Sequence, residues 1–187
     1  MASEAVIADR VSVIDKFQTL IHGEAFKAEM CRPFACDCVA HALGRLVELM
    51  DSPGRLSAAV LAIRTARLGP RCEMALYRGV CKGLYVAAQQ DHRHCEAQIL
   101  GAAEEACNPS PLKAVGFVPI CAVWASGLPG ANGRGEWTPE WTETRAAEQA
   151  WQLGRLQVYI EGHSPDPWPL PDIGPCVWPY NKGWPNG

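Results

Sequence analysis

The chain has 187 residues, 48% of them hydrophobic, enough for one sizeable core and, by length, for one domain with at most an appendage. A formal net charge of −3 gives no global basic field to gather a polyanion, which argues against long nucleic acid as a partner. No apolar run approaches the roughly 18 residues of a membrane span, so no membrane association is expected.

The opening MASEAVIADR does not read as a secretory leader. With no leader, nine cysteines, an odd number, favour reduced thiols over a disulfide framework and point to the cytoplasm or nucleus. From Glu4 to Ile21 apolar residues recur at three- and four-residue spacing, which predicts an amphipathic helix ending near Gly23. A second helix is expected from about Asp37, with Val39, Leu43, Leu46, Val47 and Met50 on one stripe, until Asp51-Ser52-Pro53-Gly54 breaks it. A third spans Ser57 to Leu68 and stops at Gly69-Pro70.

The grammar then changes. Met74 to Val80 and Gly83 to Ala87 are short β-prone runs flanking Cys81-Lys82 and predict a hairpin. A continuous helix from Glu73 to Gln90 competes with it, because Met74, Tyr77, Val80, Cys81, Leu84 and Tyr85 also fit a helical period. A helix then opens near His94 and ends at Asn108-Pro109-Ser110-Pro111. The run AVGFVPI, Ala114 to Ile120, has the density and length of a buried strand, followed by a short helix over Cys121 to Leu128 and a loop, GLPGANGRG. Thr138-Pro139-Glu140 starts a helix that reaches toward Ile160. Past Gly162 the proline- and tryptophan-rich tail predicts extended chain. Three regions result: a helical stretch 1–70, a core 71–162 and a tail 163–187.

HCEAQIL, His94 to Leu100, puts a histidine and a glutamate two residues apart at a helix mouth, and a later cysteine, Cys121, opens the helix expected after the strand. This order resembles the zinc-dependent cytidine-deaminase-like fold, in particular a fungal branch with an H-[AC]-E-x-Q-[IL]-L segment, a strand leading to a cysteine pair, and a G-[KR] loop ending in P-x-W. Here those segments are HCEAQIL, VGFVPICAVW and NGRGEWTPEW, covering residues 72 to 141. The resemblance implies an α/β fold, a three-layer α/β/α core. His94 and Cys121 would be zinc ligands, Glu96 the proton-carrying catalytic carboxylate, and Trp137 and Trp141 would stack on a nucleoside or base ligand. Zinc would lower the pKa of a bound water toward about 7 for attack on an amidine carbon.

The departure from the pattern is Trp124, which stands where the family carries its second thiolate. An indole cannot coordinate zinc, and a catalytic site needs three protein ligands. The expectation is therefore a degenerate deaminase whose catalysis is weak or lost, with zinc as a possible cofactor on an incomplete ligand set.

Read from the residues alone, His94 and Glu96 are equally a solvated helix terminus, with Glu96 favoured by the macrodipole, and the two tryptophans a packing cluster with Trp151 and the tail. Cys31, Cys36, Cys38 and His41 form a weaker metal candidate, although small buried hydrophobes suit Cys36 and Cys38 better. No P-loop, dinucleotide fingerprint or nucleophile elbow is present. The alternative function is a non-catalytic interaction or scaffold protein that uses the helical first third or the Trp/Pro tail to hold a protein partner. In that case deletion of residues 163–187 should leave the thermal transition nearly unchanged.

Overall fold

The computed structural model describes residues 16–50, 52–127, 139–163 and 165–173, and every regular element among them is helical. After a helical stretch over residues 16–21 come α1 (Ala28–Leu46), a 3-10 turn (Val47–Leu49), α2 (Pro53–Leu68), α3 (Arg71–Gln90), α4 (His94–Ala106), α5 (Pro111–Gly127) and α6 (Pro139–Ile160). The α/β expectation, with its three-layer core, is overturned, because both segments read as strands are helix.

The hairpin expected over Met74–Ala87 is part of α3. Its buried positions Met74, Cys81 and Ala88 recur every seven residues, with Tyr77 and Leu84 half-buried between them. That is one stripe of a peripheral helix, and it packs on α2 and α4. The strand expected over Ala114–Ile120 lies within α5. There Ala114, Val118, Cys121, Ala122 and Ala125 face the core while Leu112, Phe117 and Ile120 stay exposed. Apolar residues on both faces erase the helical period from the sequence, so density alone could not separate a buried strand from this helix.

α1 begins at Ala28, well before Asp37, and runs through Pro33. Proline this early removes a single ladder bond. The gain is burial on every side: Cys31, Phe34, Cys36, Cys38, Val39 and Leu43 are fully enclosed, and α1 packs against α2, α4, α5 and α6. One hydrophobic cluster runs from Phe26 to Tyr159 and therefore crosses the boundary drawn at residue 70.

Local chemistry sets the turns. Ser52 Oγ accepts the Arg55 N–H at 3.4 Å and Pro53 takes the first helical position of α2. At the end of α2, a Cβ on Gly69 would sit 2.8 Å from the Thr65 carbonyl oxygen, so the chain turns there only without a side chain. α3 ends on His92 in the left-handed region (φ 58°), where Arg93 N–H donates to Ala88 O at 2.8 Å and His92 N–H to Gln89 O at 3.1 Å. These two bonds are a Schellman motif.

The buried Asp37 carboxylate ties α1 to the rest of the chain. One oxygen accepts from Arg67 of α2 at 2.9 Å and from the Trp168 N–H at 3.0 Å. The other accepts from Arg155 Nε at 2.9 Å and Nη2 at 2.7 Å, and from the Tyr159 hydroxyl at 2.9 Å, both residues on α6. Burial and this neighbouring carboxylate push the Tyr159 hydroxyl pKa well up, so it remains a donor. The Trp168 indole meets the edges of His41 and Trp151, whose rings stack at 3.8 Å. Leu170 and Ile173 pack on the core, and Arg155 also donates to the Asp166 carbonyl.

Residues 165–173 are therefore a strap on the helices, which changes what truncation should do. Deleting residues 163–187 is expected to lower the thermal midpoint by several degrees, whereas an unchanged midpoint would show that the strap contributes nothing to stability. Asp37→Ala leaves two guanidinium groups facing each other without their acceptor and should cost about 3–5 kcal/mol in chemical denaturation.

Candidate functional site

Among the described residues, those singled out in the sequence are not gathered into a metal centre. His94, the first residue of α4, is exposed. Glu96 is buried, at 2% exposure, but its carboxylate takes the Arg55 Nη1 of α2 at 2.7 Å, and the same guanidinium reaches Asp91 in the α3–α4 turn. Burial alone would lower the Arg55 pKa, yet its hydrogen bonds to Glu96 and Asp91 raise it, so the guanidinium is held in place by structural partners. HCEAQIL thus opens the second helix of a helix–turn–helix unit, and Glu96 clamps that unit onto α2.

Cys121 lies on the inner face of α5. Burial, then the Glu105 carboxylate, push its thiol up to about 12. Glu105 stands eleven residues beyond His94 on α4, about 16 Å along the helix axis. Trp124 carries the Arg145 guanidinium over its ring at 4.6 Å. Trp137 and the side chain of Trp141 lie outside the described residues, as do the GLPGANGRG loop beyond Gly127 and Cys176. His41, in the second candidate cluster, is engaged by Glu148 at 2.8 Å. Among the described residues no three His, Cys, Asp or Glu side chains gather as a metal would need. The donors present do not fit the zinc site that the resemblance implied.

A different site is built where α1, α3 and the end of α4 meet. A cleft of about 750 Å³ opens there, and Arg32, Arg71, Arg78 and Lys82 line it against a single acid, Glu104. Arg71, Arg78 and Lys82 fall at i, i+7 and i+11 on α3 and so share a face, with the small residues Ala75 and Gly79 between them. Arg32 is fixed between α3 and the end of α4, where Nη1 lies 3.0 Å from Met74 Sδ and Nη2 donates to the carbonyls of Asn108 at 2.8 Å and Pro109 at 3.3 Å. Those carbonyls neutralise none of its charge.

Arg78 is partly committed, with Nη2 on Glu105 at 3.2 Å and Nε 3.8 Å from Glu104. Glu105 is also held by the Asn108 amide at 2.7 Å. Burial and the Glu105 charge raise the Glu104 pKa, while Arg78 and Lys82 pull it down. Four helix ends border the cleft, the C-termini of α2 and α4 and the N-termini of α3 and α5. Each carries about half a charge, so they cancel in pairs, and the side chains decide the sign. The lining is positive in a chain that is negative overall.

Sequence reading missed this site because its cations come from α1 and α3, some 40 residues apart, and no short motif joins them. The available signal was Arg71, Arg78 and Lys82 on one helical face, visible only once Glu73 to Gln90 is read as helix.

The thiols carry their own expectation. Burial pushes Cys36 and Cys107 up to about 12 and Cys81 further still, whereas Cys72 is exposed on the first turn of α3. Iodoacetamide under native conditions should modify Cys72 ahead of these three, with the buried thiols reacting only on unfolding; rapid native labelling of Cys36 or Cys107 would contradict the packing of α1. Among the described residues no helix is long and apolar enough to cross a membrane. Comparison with protein-family models, with curated proteins and with solved structures finds no match for this chain.

Proposed function

We propose that this protein is a non-catalytic binding protein that takes an anionic ligand into the cleft between α1, α3 and the end of α4. The observation that carries the reading is the charge of that cleft, four cations lining it with Glu104, and Glu105 paired to Arg78 beside them, a net positive site in a chain of net charge −3. Of the two function classes open to the sequence, an enzyme and an interaction protein, this geometry supports the second. The deaminase reading relied on an α/β core to bring His94, Glu96 and Cys121 together, and the described residues, all helical in their regular elements, give it no such support. The part of the Trp/Pro tail at 165–173 is occupied with Asp37, His41 and Trp151, so the interaction reading moves from the tail to the cleft.

Cations on concave walls act more strongly than isolated surface charges, because the surrounding protein excludes part of the screening solvent. Arg71 and Lys82 are exposed and have no packing role, so reversing them tests charge without disturbing the core. Pyrophosphate, citrate and hexaglutamate should be compared as anions in thermal-shift titrations. At least one is expected to raise the midpoint, by about 2.7 kcal/mol of added stability at a hundredfold excess over Kd. The double variant Arg71→Glu, Lys82→Glu should lose that response. A response unchanged in the double variant, or none from any of the three anions, overturns the reading.

The direction of the pH effect follows from Glu104. Its folded pKa is raised by burial and the Glu105 charge, so as pH falls from neutral it takes up a proton earlier than an ordinary glutamate, and the cleft loses one negative charge while Arg78 loses a partner. The groups facing it are Arg78 and Lys82 on α3 and Glu105 on α4. Glu104→Gln should bind the anion more tightly than the unsubstituted chain at neutral pH, with the difference closing as pH drops through that window, a comparison in which the ligand's own protonation cancels.

A further inference from the structure

We infer that the anion this cleft accepts is a small molecule with phosphate groups on an apolar or aromatic body, the chemistry of a nucleoside diphosphate. This rests on the reading of the cleft as the binding surface and specifies its ligand.

The size comes first. A volume of about 750 Å³ lies within the range of about 300–1,000 Å³ typical of small-ligand pockets, and the cleft is about half open to solvent, so a ligand would bury one side there. The charges are next. Arg78 and Lys82 are one turn apart on α3, about 6 Å along the axis, so they can reach two neighbouring phosphates, and the fixed Arg32 guanidinium lines the same cleft beside Met74. Guanidinium forks match phosphate oxygens, and each phosphate offers three acceptors.

Competition inside the cleft separates phosphate from carboxylate. Arg78 already has carboxylate neighbours in Glu104 and Glu105. A ligand carboxylate would exchange one unit negative charge for another and gain little. A terminal phosphate carries about −1.5 to −2 and gains on the exchange. The apolar part of the lining requires a body as well as a charge. Ala75 and Gly79 of α3 and Pro109 at the end of α4 are exposed there, over the buried Met74 and Cys107, and present a surface that inorganic phosphate leaves wet. Gly79 keeps that surface open, since a Cβ built there meets nothing within 4 Å.

That open space supplies the test. Gly79→Leu should add bulk to the cleft lining, since a Cβ there meets no neighbour, and removing glycine from a helix interior does not lower helix stability. Calorimetric titration of the full chain should use ADP, pyrophosphate, citrate and hexaglutamate as probes. ADP is expected to bind about tenfold tighter than pyrophosphate, through burial of its body, and both tighter than citrate. Gly79→Leu should abolish ADP binding with an unchanged or higher melting temperature, and Lys82→Glu should weaken it by about tenfold or more.

Citrate or hexaglutamate binding as tightly as ADP, with sensitivity to Lys82→Glu retained, overturns the ligand class and leaves the cleft standing. Equal affinity for ADP and pyrophosphate removes the apolar body from the assignment. ADP binding indifferent to both Gly79→Leu and Lys82→Glu places the ligand elsewhere and sinks the cleft as well.

Discussion

The Asp37 carboxylate, at 1% exposure, cannot be buried as an anion without having its lone pairs occupied. Five donors converge on it, from α2, α6 and the strap. Removing water from that charge costs several kcal/mol, and the two guanidinium partners have to return it through geometry. An apolar trio could fill a similar volume at similar stability. The carboxylate differs in directionality, because it accepts only where donors stand, so α1 can sit in one register against α2 and α6. The rest of the packing follows from that placement: α5 lies along α1, α4 along α5, and α3 closes over α2 and α4. Arg32, five residues before Asp37 on α1, is thereby held against the end of α4, where it forms one wall of the cleft.

Helices with one apolar stripe or clear stops were legible. Gly69-Pro70 ends α2 and Asn108-Pro109-Ser110-Pro111 ends α4, because proline leaves few backbone conformations open. By contrast α2 starts at Pro53, four residues before the Ser57 expected, because Asp51-Ser52-Pro53-Gly54 reads as a breaker and serves as a cap. The start of α1 was not legible, since Pro33 reads as a breaker and a helix buried on all sides shows no polar face to set its phase. α5 failed for the same reason. Val115 and Val118 are inside while Phe117 and Ile120 are outside, and all are apolar. α3 was an even contest between periods, which packing against α2 and α4 decides and local sequence does not.

The site shows the same division. His94-Cys95-Glu96 drew attention because three chemically versatile side chains stand together, yet His94 faces solvent and Glu96 is spent on Arg55. The junction before them is conformational: a histidine in the left-handed region ends one helix so that the next can begin. The cleft was hidden because charge on one helix face means little until a second wall is known. Arg32 supplies that wall from a segment that offered the sequence only cysteines and a proline.

The bond from the Trp168 amide to Asp37 spans 131 residues. During synthesis α1 leaves the ribosome with an acid on its innermost face long before α6 and the strap exist to receive it. Until then the N-terminal helices can collapse only loosely around a charge that still needs water, and closing so long a loop falls to the last step. Maturation of the chain thus waits on its C-terminal quarter, and a nascent protein halted before Arg155 would reach the cell's proteases with its central helix still hydrated.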